Sequence, residues 1–137
     1  MRDYGNLFGW LIVAGLVITL LNYVVKFVYR KWISKLDKES DFRKNYTKVQ
    51  RFIVKYHRFF ALFTTIVLIT HLLIQVQYRW VSRTGLIAAA LLVANGLLGI
   101  YGHYYKKRKK SAWLYVHRTI AVLTAIAIVL HIALNAR

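Results

Sequence analysis

HRFFALFTTIVLITH, residues 57–71, and HRTIAVLTAIAIVLH, residues 117–131, are one pattern written twice at an offset of sixty residues. Six of the fifteen positions are identical, among them the opening His-Arg and the closing His. From Phe59 to Tyr78 the first copy runs twenty residues without a Lys, Arg, Asp or Glu. A helix needs about 20 mostly apolar residues to cross the hydrocarbon core of a bilayer. Inside lipid every backbone N–H and C=O must be satisfied within the segment, so such a stretch is a helix. Each copy therefore reads as a membrane-spanning helix with a histidine near either end.

Working outward, four stretches qualify as spans: residues 7–29, 52–78, 85–105 and 112–136. The first is long for the apolar part of a signal peptide and has no evident small-residue cleavage site, so it reads as retained. The segments between spans divide sharply by charge. Residues 30–51 and the start of the second span carry Arg30, Lys31, Lys35, Lys38, Arg43, Lys44, Lys48, Arg51 and Lys55; residues 106–111 carry Lys106, Lys107, Arg108, Lys109 and Lys110. The other side has Arg2, Arg79, Arg83 and Arg137. The positive-inside rule then makes both basic loops cytoplasmic and both termini external. Trp10, Tyr29, Tyr78, Trp80, Tyr104, Tyr105 and Trp113 stand near span ends, as interfacial anchors do. The expected fold is all-α: a four-helix integral membrane bundle, one domain over residues 1–137, multi-pass in the plasma membrane, with membrane lipid as its surroundings.

Composition agrees and excludes much else. The chain is 58% hydrophobic and 18% charged. A net charge of +17 would raise nucleic acid as a partner, but the cations lie between long apolar spans, where they set topology instead. There is no Cys, so disulfides, thiolate-bound zinc, iron–sulfur clusters and covalently attached c-type heme are all excluded. Met1 is the only Met, which removes an axial methionine within a helix.

Four of the five histidines form a pattern: His57 and His71 are fourteen apart on the second span, His117 and His131 fourteen apart on the fourth. At about 100° and 1.5 Å per residue, fourteen positions return a side chain to within about 40° of its starting direction, about 21 Å along the axis. Both spans run the same way through the bilayer, so His57 matches His117 in depth and His71 matches His131. Two pairs at two depths are the ligand set of two six-coordinate, non-covalent b-type hemes, one imidazole from each helix per iron. Interfacial or helix-contact histidines are the plain alternative, but ionisable groups inside membranes mark function by default. Ala61 and Thr64, and likewise Ala121 and Thr124, leave room on the ligand faces. Gly99, with Gly85 fourteen residues before it, either lets a porphyrin edge approach the backbone or serves ordinary small-residue packing. Arg58 and Arg118 sit where heme propionates would reach the interface, and bidentate Arg–carboxylate contact suits them; positive-inside charge also accounts for them. For the outer heme the available cations are Arg79, Arg83 and Arg137. His103 stands near the inner end of the third span. It is a competing inner ligand, a partner for a propionate or quinone, or a belt histidine among Tyr101, Tyr104 and Tyr105. Asn95 is a helix contact or a heme neighbour.

With paired histidines on its second and fourth helices, nearly the whole chain resembles the heme-binding core of respiratory cytochrome b and the transmembrane domains of ferric reductases. The resemblance implies two stacked hemes held by His57, His71, His117 and His131. The glycine spacing it leads one to expect on both other helices appears on the third alone; the first has Gly5, Gly9 and Gly15. The larger reductases add flavin and nicotinamide domains, and the 137 residues hold no Gly-rich phosphate loop. The implied function is transmembrane electron transfer. The donor is a quinol or cytoplasmic flavoprotein, and the acceptor a ferric chelate, quinone, superoxide or cytochrome at the outer face. Ferric or quinone reductase activity would follow if the chain works alone or as a homo-oligomer. The alternatives are a heme-bearing anchor subunit of a larger quinone-linked enzyme and, more remotely, a heme-free His-dependent transporter. The transporter reading is weakened because Asp3, Asp37, Glu39 and Asp41 all lie outside the spans.

Overall fold

The structure is a computed structural model that describes residues 2–78, 80–106 and 111–135, with the side chains of all but 2–4. Four α-helices follow in order: α1 (Arg2–Lys31), α2 (Asp41–Tyr78), α3 (Arg83–Tyr104) and α4 (Ala112–Asn135). A single 3-10 turn, Ile33–Lys35, lies between α1 and α2, and there is no strand among the described residues. All four helices are long and apolar enough to cross a membrane. The protein is a multi-pass membrane bundle.

The helix limits depart from the apolar limits at the starts of α1 and α2, most at α2. The sequence reading has a basic loop over residues 30–51, whereas α2 begins at Asp41, so its first three turns lie within that segment. Hydropathy finds where lipid ends; it does not see a helix continuing into water. This extension is held by its own contacts. The Tyr46 hydroxyl donates to the Val25 carbonyl of α1 at 3.0 Å. The Tyr46 ring stacks on Tyr29, centroids 6.4 Å apart. α1 begins at Arg2, five residues before the expected span, and the remaining ends agree within a turn. Ser82 caps α3, its hydroxyl accepting from the Gly85 N–H at 3.1 Å, which satisfies one of the donors a helix start leaves open. Residues 79, 107–110 and 136–137, and with them Arg79, Arg137 and most of the second basic loop, lie outside the described residues.

The helices pack as two antiparallel hairpins, α1 with α2 and α3 with α4. The hairpins meet more loosely, through α2 against α3 and α1 against α4; α2 and α4 occupy opposite corners and do not pack directly on each other. Each hairpin has one point of closest approach where only glycine fits. A Cβ on Gly15 would overlap the Thr64 hydroxyl, and one on Gly102 would overlap the Trp113 ring. Backbones drawn together at small residues are how helices gain packing in lipid, where no hydrophobic force separates them from solvent.

The bundle is apolar outside as well as inside. Its core is small: Ile12, Leu16, Val67, Leu68, Ala88, Ala89 and Ile128. The most buried polar residues are Thr64 and Thr124, at 1% and 0% exposure. Meanwhile Leu62, Ile66 and Leu73 of α2 and Val122, Val129 and Leu134 of α4 are all more than half exposed. The accessible surface is 10039 Å². A compact soluble monomer of this mass would expose about 7400 Å². So much exposed apolar area suits a lipid-facing exterior.

Candidate functional site

Contacts between helices sort the side chains into two ends. At the basic end Arg118 lies over the Tyr23 ring, 5.3 Å from its centroid, and Arg58 Nη1 meets His103 Nε2 at 3.0 Å. At the other end a Cβ on Gly5 would lie 3.8 Å from Gln75 Nε2, and Ser82 and Thr84 meet His131. The four repeated histidines divide between these ends. His57 and His117 lie within electrostatic reach of each other near the basic end. His71 and His131 do so near the opposite end. All four rings are half-buried. On α2 and α4, seven residues from either histidine, stand the two fully buried threonines, Thr64 and Thr124. Each turns its hydroxyl back on its own helix, to the Phe60 and Ile120 carbonyls at 2.7 Å, so neither leaves a polar group open at the centre.

Each imidazole rests on the other helix of its own hairpin. His117 Nδ1 is 3.2 Å from the Asn95 carbonyl of α3. His131 Nδ1 is 3.2 Å from both the Ser82 and Thr84 hydroxyls at the start of α3, and 3.3 Å from Asn135 Nδ2. On α1, the Thr19 carbonyl lies against His57 and the Gly5 carbonyl against His71. Neither of these closes to a hydrogen bond, and the Nδ1 atoms of His57 and His71 are buried without one. Glycines flank the rings. A Cβ would come within 3.0 Å of His131 Cε1 at Gly85, 3.6 Å of His117 Cε1 at Gly99 and 3.8 Å of His71 Cε1 at Gly9. The flanking residues thus repeat as well. Gly9 corresponds to Gly85, and the Thr19 carbonyl to that of Asn95, at an offset of seventy-six, while the histidines correspond at sixty. The sixteen-residue difference is the longer connection and helical extension of the first hairpin.

This donor set fits a porphyrin iron. An imidazole that gives Nδ1–H to a carbonyl or hydroxyl keeps Nε2 as the lone-pair nitrogen, oriented for a metal. No hydrogen bond among the described residues uses the Nε2 of His57, His71, His117 or His131. Among those residues no three His, Cys, Asp or Glu side chains gather to hold a bare ion; a porphyrin iron asks the protein for only two.

The remaining expected site residues fall as follows. Gly99 lies beside His117 and Gly85 beside His131, both on ligand faces. Arg58 and Arg118 both stand at the basic end, Arg58 engaged with His103, and Arg83 is exposed in the first turn of α3. The imidazole that acts on His57 is that of His117, and His103 instead bridges α3 to α2 through Arg58. Sequence reasoning missed Thr19, Ser82 and Thr84, and it missed Lys26, a cation of α1 that acts on His57. Their signal was available only by knowing the register of each hairpin. Asn95 is used through its backbone carbonyl, while its Oδ1 is buried without a hydrogen bond.

The fold and site together define a class: a four-helix, multi-pass membrane protein with two depth-matched imidazole pairs on diagonal helices. No protein-family model, curated protein or solved structure matches this chain.

Proposed function

We propose that this chain is a di-heme b-type cytochrome that carries electrons across the plasma membrane, from a quinol or cytoplasmic flavoprotein at the basic end to an acceptor at the other. One observation carries the reading. The four imidazoles stand in two pairs, one near each end: His117 and His131 have Nδ1 against a carbonyl or hydroxyls of the α3 side, and His57 and His71 lie beside carbonyls of α1. That arrangement leaves four Nε2 atoms for two metals. A bound b-type heme supplies a one-electron iron couple that the apolar side chains of this chain lack.

The residues of the chain do the rest. His57 and His117 hold the group at the basic end, His71 and His131 the other. Lys26, Arg58 and Arg118 neutralise propionate carboxylates at the basic end, Arg as a planar two-donor fork. The core around Thr64 and Thr124 keeps water from the middle of the bundle, and the apolar exterior holds the pairs at fixed depth in lipid. The fourteen basic residues counted in the two loops orient the basic end toward the cytoplasm.

The test is a reduced-minus-oxidised spectrum of the purified chain with pyridine hemochrome quantitation. The expected result is about two extractable b hemes per chain. A colourless protein, or heme that resists acid–acetone, would sink the proposal.

A further inference from the structure

Beside the basic end lies a cleft of about 350 Å³ that the heme reading does not use. Its walls come from three segments. Tyr29 belongs to the end of α1, Lys38 to the turn before α2, and Arg43, Lys44, Lys48 and Arg51 to the first turns of α2. Five cations therefore line one small concavity, the smallest size class in which small-molecule sites occur. Four of them sit on one helix, three at spacings where like charges face each other: Lys44 with Lys48, and Arg51 within a turn of Lys48. Like-charged neighbours at these spacings destabilise a helix unless an anion lies between them.

The frame of the cleft is built and its charge is not balanced. Arg43 Nη1 donates to the Leu36 carbonyl at 2.6 Å, tying the turn to the helix. Lys44 pairs with Glu39 at 2.7 Å, the one ion pair among the described residues. Tyr46, one turn away, fixes the extension to α1. Lys38, Lys48 and Arg51 have no carboxylate partner among the described residues.

We infer that this cleft binds a phosphate-bearing anion, and that the anion is the headgroup of an anionic phospholipid. Phosphate is the group that Arg and Lys donors converge on. Lipid is the source because Tyr29 ends an apolar span, so the cleft opens where headgroups lie. Clusters of cations just outside a membrane helix draw anionic lipid. This inference is independent of heme.

The test uses the full chain in neutral detergent, titrated by native mass spectrometry with phosphatidylglycerol, phosphatidylcholine and inorganic pyrophosphate. Phosphatidylglycerol should bind where phosphatidylcholine does not. At about a factor of five per cation near an anionic surface, Lys48→Gln with Arg51→Gln should weaken it about thirtyfold. Lys35→Gln with Lys55→Gln removes the same charge from outside the cleft and should weaken it far less. Should the first double variant fail to fold, Lys38→Gln alone should weaken binding about fivefold. Equal losses in the cleft and control variants would overturn the site. Phosphatidylcholine binding as well as phosphatidylglycerol would do the same. Pyrophosphate binding as tightly as lipid would overturn the assignment to a headgroup.

Discussion

The two hairpins carry the same histidine pattern but hold it differently. In the α3–α4 hairpin both imidazoles are tied down, His117 to the Asn95 carbonyl and His131 to Ser82 and Thr84. In the α1–α2 hairpin the carbonyls of Thr19 and Gly5 stand beside His57 and His71, yet both Nδ1 atoms remain without hydrogen bonds. A buried polar nitrogen without a partner is destabilising by one to a few kcal/mol. The second hairpin thus holds its rings with a backbone carbonyl and two hydroxyls, while the first leaves both Nδ1 atoms unpaired. Length differs in the opposite sense. The first hairpin carries a long helical extension anchored by Tyr46, and the second turns back within a few residues.

The largest effect expected concerns the pairs themselves. On the proposed reading, replacing His131 by Ala should remove the heme at the end away from the basic loops and leave the basic-end heme, halving the pyridine hemochrome yield. On the proposed pairing, one ring from each hairpin would serve each iron, and His71→Ala should do the same. If His71→Ala and His57→Ala instead removed the same spectral species, the pairing across hairpins would be wrong.

Next in size is closure of the hairpins. Gly15→Val drives two methyls into Thr64, and Gly102→Val drives them into the Trp113 ring. Overpacking of this kind costs about 1–3 kcal/mol, read as a lower thermal midpoint by circular dichroism in detergent. The indole of Trp113 fills its contact as a rigid ring, so Gly102→Val should be the worse of the two. Equal midpoints to the parent would show that the hairpins slide freely past these points.

A third experiment sharpens the contrast in preorganisation. Ser82→Ala with Thr84→Ala removes both hydroxyls from His131. Outer partners of metal-binding histidines are worth about 10–100-fold in affinity. Heme loss to excess apomyoglobin should therefore accelerate at the end away from the basic loops alone. No comparable side-chain change exists for His71, whose neighbour is a backbone carbonyl. Acceleration at both ends would show that the hydroxyls act through the fold and not through the ring. The smallest effect is at the extension. Tyr46→Phe deletes one hydrogen bond to Val25 and should lower stability by about 1 kcal/mol, with spectra unchanged.

The four helices and their order were legible in the sequence, as was the spacing that puts two histidines on one face of α2 and two on one face of α4. Apolar length fixes a span, and a fourteen-residue spacing fixes two levels on one helix face, both consequences of helical rise and twist alone. The pairing of residues 57–71 with 117–131 was legible for the same reason, since a repeat in sequence is a repeat in geometry once both copies are helical. What lies beside each imidazole was not. Thr19, Ser82, Thr84 and the Asn95 carbonyl touch the rings only through the register of α1 on α2 and of α3 on α4. Gly15 against Thr64 and Gly102 against Trp113 mark that register, and no local signal announces it. The extension of α2 was likewise hidden, because a polar helix outside lipid has no hydropathy signature and is held by Tyr46 reaching another helix. Sequence periodicity determined which face each histidine occupies and at what depth; only packing between helices decided what each face meets.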